Sequence, residues 1–212
     1  MTKILDLIFP QVCGICGKLD KHALCKKCEI LLTNKEKLQI DKYDDKYFEE
    51  HFYLFKYEEQ IRNLLLRYKF QDKPYLYETI VNFIKKEEKA YKFFEKYDTI
   101  APVPISKKRL KTRGYNQSSL IASKLAKVYN KDYVKNSLIK TKNIVAQSTL
   151  NKEEREKNVQ NVYEIKNKQK IVDKKIVLID DIFTTGSTVN ECSRILKKEG
   201  AKSIGVFTIA KD

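Results

Sequence analysis

Histidine is nearly missing from this chain of 212 residues, with His22 and His51 the only two. An imidazole-based catalytic mechanism therefore has little to work with. Two glycine-dependent fingerprints are missing as well. Without a Gly-x-x-x-x-Gly-Lys-Ser/Thr loop the P-loop route to nucleotide triphosphate hydrolysis is closed, and without Gly-x-Gly-x-x-Gly so is the usual dinucleotide-binding turn. Long apolar runs are absent too. The nearest candidate, Ile4, Leu5, Leu7, Ile8 and Phe9, is interrupted by Asp6 and ended by Pro10. It is too short for a membrane span and has no signal-peptide cleavage site, so a cytoplasmic protein without membrane insertion is expected. No internal repeat is present.

Acidic residues are locally scarce. Between Ala101 and Leu150 eleven Lys or Arg face the single acid Asp132, so this window supplies +10 of the formal charge of +15. Such a window is either a solvated basic surface or a face for the phosphates of a small ligand or nucleic acid.

Against these absences stands one informative stretch, residues 176–188. Ile176, Val177, Leu178 and Ile179 run without alternation, the pattern of a strand buried on both faces in a parallel sheet. Asp180 and Asp181 are expected to end it. Thr188 and Glu191 have capping-box spacing and predict a helix from about 189 to 199, with Val189, Cys192, Ile195 and Leu196 on its apolar face and Gly200 as its stop. A further strand is expected over 203–209. Ligands of such strand–loop–helix–strand units bind beyond the carboxyl ends of the strands. Gly186 at a helix start, with Thr184, Thr185, Ser187 and Thr188, offers backbone and hydroxyl donors to a phosphate. The adjacent carboxylates repel a bare phosphate, so the ligand should carry neutral hydroxyls or a divalent cation; a ribose phosphate with Mg2+ satisfies both.

Cys13-x-x-Cys16 and Cys25-x-x-Cys28 have the spacing of two metal-binding knuckles. A disulfide framework is the competing reading, and cytosolic reduction argues against it. Four thiolates close a tetrahedral zinc site, which makes it structural rather than catalytic. His22 lies in the intervening loop, and Cys192 is expected in the core.

The remaining chain reads as a zinc ribbon over 1–33, a polar linker over 34–50 and an α/β domain over 51–212. A strand is expected over 52–57, and a helix over 58–70 with Ile61, Leu64, Leu65 and Tyr68 on one face. Another helix starts near Tyr75, while residues 85–96 carry no clear pattern. Pro102 and Pro104 must end a strand over 97–101. A basic loop through Lys107, Lys108, Arg109 and Arg113 follows, then a helix capped by Asn116. The polar stretch 143–158, after a strand edge at 138–142, has the composition of a lid.

Residues 176–188 resemble the phosphoribosyl pyrophosphate (PRPP) signature of type I phosphoribosyltransferases. The cysteine pairs, Pro102-Val103-Pro104 and Arg113-Gly114-Tyr115-Asn116-Gln117 narrow the resemblance to the ComF family. The resemblance implies a parallel sheet flanked by helices, preceded by a zinc ribbon, and PRPP bound with Mg2+. It assigns catalytic positions to Asp180, Asp181 and Arg113. PRPP contacts would come from these residues, Gly114, Thr184 to Thr188, and the loop residues Gln147 and Lys142 or, in its place, Lys140. Lysine stands there where the family usually has arginine, and Ile144 and Val145 replace Thr and Pro. The resemblance also implies a part in natural competence and DNA uptake, with single-stranded DNA and a translocation protein as partners. Three activities stay open: transfer of phosphoribose to an acceptor, PRPP sensing without turnover, and DNA or partner binding alone.

Overall fold

A computed structural model describes residues 12–22, 24–35, 38–70, 73–85, 87–141 and 161–212. Its centre is strand β7 (Lys175–Phe183), with Ile176, Val177, Leu178 and Ile179 all fully buried. Parallel neighbours lie on both sides: β3 (Thr99–Pro102) pairs Pro102 with Ile179, and β8 (Ser203–Lys211) pairs Asp180 with Thr208. Beyond β8 lie β2 (Glu50–Lys56), parallel to it, and the antiparallel edge strand β1 (Gln39–Lys42). The short β4 (Asp132–Tyr133) forms the other edge, giving the order β1-β2-β8-β7-β3-β4. A separate hairpin-like pair joins β5 (Leu138–Lys140) to β6 (Tyr163–Ile165).

Period-two alternation divides the central strand between two cores. Val177 and Ile179 point into one with helices α2 (Glu59–Phe70), α3 (Leu76–Ile84), α4 (Glu88–Glu95) and α6 (Gln117–Val128). Ile176 and Leu178 point into the other, against α7 (Ser187–Lys198). Burying each of these side chains is worth about 1.5–3 kcal/mol, which is why an unalternating run marks the middle of the sheet. Helix α1 (Lys26–Lys35) contributes Cys28 and Leu32 to the first core, beside Cys13 and Leu24.

Several expectations need correction. The central strand does not end at the aspartates; it runs through them to Phe183, because Asp180, Ile182 and Phe183 keep their ladder with Thr208, Ala210 and Lys211. Helix α7 begins at Ser187 and is capped by Gly186 in the left-handed region (φ 74°), not by Thr188. Glu191 is thereby freed from a capping box and accepts instead from the Asn161 N–H (3.0 Å) and from Arg194 (2.7 Å). The basic loop is a short helix, α5 (Lys107–Arg113): Ser106 accepts from the Arg109 N–H at 3.3 Å, and Gly114 at φ 77° closes it. Residues 85–96 contain α4, anchored by buried Ala90, Phe93 and Phe94. The edge strand β1 lies within the stretch read as a linker. No helix among the described residues is long and apolar enough to cross a membrane.

Candidate functional site

A cleft of about 1080 Å3 opens beyond the carboxyl ends of β7 and β3, where the topology of a parallel sheet puts ligands. Residues 180–189 form its floor and one wall, and α5 with the start of α6 forms another. The last turns of α2 close a third side, with Lys140 and Tyr163 opposite.

The loop 184–188 is fixed from below. Gly186 holds a left-handed conformation, and a Cβ there would stand 2.5 Å from the Phe183 ring. Phe183 in turn stacks on His51 at 4.2 Å between centroids. His51 is fully buried, bonded through Nε2 to Thr208 Oγ1 at 2.8 Å, and burial, with the charge of Lys211, brings its pKa down to about 3. A neutral imidazole therefore supports the loop from inside the core and does not face ligand. Thr185 and Ser187 bond each other through their hydroxyls at 2.6 Å, and the Asn190 N–H donates to the Gly186 carbonyl at 2.8 Å. Thr184 is exposed at the tip.

At the foot of the cleft Asp180 Oδ1 accepts from the Ser118 hydroxyl (3.1 Å) and from the Asp181 N–H (2.9 Å). Burial and the Asp181 charge push its pKa up to about 7 despite those donors and Lys69. Asp181 Oδ1 is ion-paired with Lys69 Nζ at 2.9 Å, and both side chains are largely buried. Arg113 stands across from the pair, its guanidinium 5.0 Å from the Phe70 ring centroid and its Nη1 2.5 Å from Gln117 Oε1. Lys140 Nζ lies 5.2 Å from the Tyr163 ring centroid; burial, then the charge of Arg109, brings its pKa down to about 8.

Most residues expected at the site thus line one cleft: Asp180, Asp181, Thr184 to Thr188 and Arg113. Gly114 does not line it; it ends α5. Lys142, Gln147 and the lid expected over 143–158 lie outside the described residues. The sequence reading missed Lys69 and Ser118, because each sits on a helix whose apolar spacing draws attention to other faces. Only tertiary packing brings them to the aspartates.

The four cysteines converge elsewhere. The sulfurs of Cys13, Cys16, Cys25 and Cys28 all lie within 4.8 Å of one another, and Cys16 and Cys25 are 3.8 Å apart. A tetrahedron with metal–sulfur bonds of about 2.3 Å has edges of about 3.8 Å, so the donor set fits a metal such as zinc. Burial works to raise the Cys13 thiol, but N–H groups of Cys16, Cys25 and Ile15 outweigh it and bring it down to about 6. Burial and hydrogen bonding among the thiols push Cys28 up. The cluster is docked on α2 and α3: Gly14 meets Leu76 and Leu64, Gly17 meets the Arg67 guanidinium, and Tyr75 donates to the Val12 carbonyl at 3.1 Å.

The sheet order and the cleft beyond its strand ends define a type I phosphoribosyltransferase-like domain, and residues 110–212 match the phosphoribosyl transferase domain family. Over 159 residues the chain is 29% identical to Competence protein F of Haemophilus influenzae, covering 73% of this chain and 69% of that one. It is 29% identical over 214 residues to Competence protein ComFC of Bacillus subtilis, covering 98% and 80%. DNA utilization protein YhgH of Escherichia coli is 28% identical over 114 residues, covering 54% and 49%. These relatives bear out the resemblance of the chain to the ComF family.

Proposed function

We propose that the cleft binds PRPP with Mg2+ and that the protein serves DNA uptake in natural competence. The observation that carries the first part is the meeting of three chemistries in one cleft: the Asp180–Asp181 pair, the loop 184–188 at the start of α7, and the cations Arg113 and Lys140. In this reading the loop receives the 5′-phosphate through its N–H groups and hydroxyls. The aspartates accept the ribose hydroxyls, and Arg113 offers its planar fork to the pyrophosphate. Bound with the pyrophosphate, Mg2+ supplies charge neutralisation of the leaving group. If turnover occurs, a nucleophile displaces pyrophosphate at the anomeric carbon, and the residues above act by positioning and by stabilising departing charge. The cysteine cluster holds a structural zinc, and residues 1–33 act as the module that carries it. The competence role is supported by the names of the relatives and by the run of exposed cations on α5 at the rim of the cleft.

Isothermal calorimetry with PRPP, with and without Mg2+, tests the reading. Binding that needs Mg2+ and is lost in the Asp180→Asn/Asp181→Asn double variant is expected. A protein that binds no PRPP under either condition would overturn it.

A further inference from the structure

We infer that Lys69 sets the ligand class of the aspartate pair: it is a built-in counter-ion that keeps the pair from coordinating a divalent cation and leaves it as a receptor for two hydroxyls. The inference deepens the PRPP reading and rests on it for the identity of the diol; the counter-ion role stands on the ion pair itself.

Lys69 comes from the last turn of α2, remote in sequence from the strand that carries the acids. Its Nζ lies 2.9 Å from Asp181 Oδ1, and the two side chains are only 18% and 14% exposed. Partial burial makes this pair stronger than a surface contact, and removing one partner leaves a poorly solvated charge. The turn that holds Lys69 is clamped. Tyr68, the preceding residue, is fully buried and donates its hydroxyl to the Gln117 carbonyl at 2.8 Å, while the Tyr115 hydroxyl donates to the Tyr68 carbonyl. Lys69 is therefore delivered to the acids by packed neighbours and is not a wandering surface lysine.

Oxygen bookkeeping shows what remains for a ligand. Asp180 Oδ1 is taken by Ser118 and the Asp181 N–H, and Asp181 Oδ1 by Lys69. Among the described residues, the second oxygen of each carboxylate has no partner. Two open acceptors lining one cleft suit a ligand that brings two hydroxyls, such as a diol, since each O–H needs one acceptor. A hard divalent cation instead asks for several oxygens and net negative charge, and an ammonium already seated on the pair opposes it. Mg2+ then belongs with the pyrophosphate, away from the acids.

The test uses Mn2+ alone as an oxygen-preferring probe, counted by the electron paramagnetic resonance signal of the free ion, on the full chain with its cysteines loaded with zinc. Lys69→Met and Lys69→Gln should each bind Mn2+ at least roughly tenfold more tightly than the parent. Adding Asp181→Asn to either should abolish the gain, and Lys69→Arg should behave like the parent. Either of the two neutral variants, once folded, decides the matter. Mn2+ binding no tighter than in the parent would overturn the inference. PRPP calorimetry on the same samples separates the two readings: PRPP binding by the parent without a Mn2+ gain in the variants removes the Lys69 role alone. A Mn2+ gain without PRPP binding removes the diol and keeps the counter-ion.

Discussion

Single residues in this cleft hold conformations and charges that cost stability. Asp180 is the clearest. Its folded pKa, pushed up to about 7 by burial and by Asp181, lies above the ordinary value of 3.8, so between those values the folded state holds the proton more tightly than the unfolded chain. Stability therefore falls as pH rises through that window, and the full cost is present above pH 7. Asp180→Asn keeps an oxygen for Ser118 and the Asp181 N–H but cannot ionise. It should be more stable than the parent by about 1–2 kcal/mol at pH 8, with the gain shrinking as pH is lowered toward 4, read by thermal unfolding across pH. The same change should weaken PRPP binding, and this opposition of a stability gain to an affinity loss is what a residue kept for binding shows. Gly186 makes the converse case. Alanine there meets both the left-handed backbone and the Phe183 ring, so Gly186→Ala should cost about 1–3 kcal/mol in denaturant unfolding and displace the loop. The hydroxyl and glycine pattern of 184–188 made this loop legible in the sequence. His51 beneath it was not, since its position depends on strand β2 pairing with β8, a contact between residues far apart in the chain.

At the scale of elements, α2 connects two sites that the sequence presents as separate. Its buried face, Ile61, Leu64, Leu65 and Tyr68, was readable from helical spacing, and its placement in the core follows. What its other residues touch was not readable, because periodicity reports which face is buried and not against what. Arg67 packs on Gly17 of the cysteine cluster, while Lys69, two residues on, reaches Asp181. Loss of the zinc proposed for that cluster should therefore be felt in the cleft. Cys16→Ser suits the test because Cys16 is exposed, so the change removes a ligand without removing core packing. Its expected effects are a lower melting temperature, faster amide exchange over 59–70 and a weaker PRPP affinity, although no cysteine touches the cleft. Unchanged exchange in α2 would show that the cluster and the cleft are independent. The basic segment 107–113 was misread for a related reason. It has no apolar stripe, so its helix rests on the Ser106 cap, the Gly114 stop and the intrinsic propensity of Lys, Arg and Leu.

For the molecule as a whole, part of the charge asymmetry read from the sequence now has a location. Lys107, Lys108, Arg109 and Lys111 are all exposed on α5, with Arg113 partly buried at the cleft rim. The helix buries none of its residues, so its cations are not needed to hold the fold. A surface of this kind binds nucleic acid chiefly by releasing counterions, and each phosphate neutralised on a single strand contributes about 0.7 to the slope of log affinity against log salt. Replacing Lys107, Lys108, Arg109 and Lys111 by Gln should leave the melting temperature nearly unchanged and lower that slope for single-stranded DNA by roughly 2–3. Arg113 is deliberately retained, and although Lys108 and Arg109 also line the cleft, PRPP binding should fall by less than DNA binding. Affinity for DNA that keeps both its strength and its slope in this variant would move the DNA contact elsewhere on the surface. A parallel loss of PRPP binding would mean instead that the rim cations work for the small ligand, and that the net charge of the chain serves the cleft rather than a polymer crossing its edge.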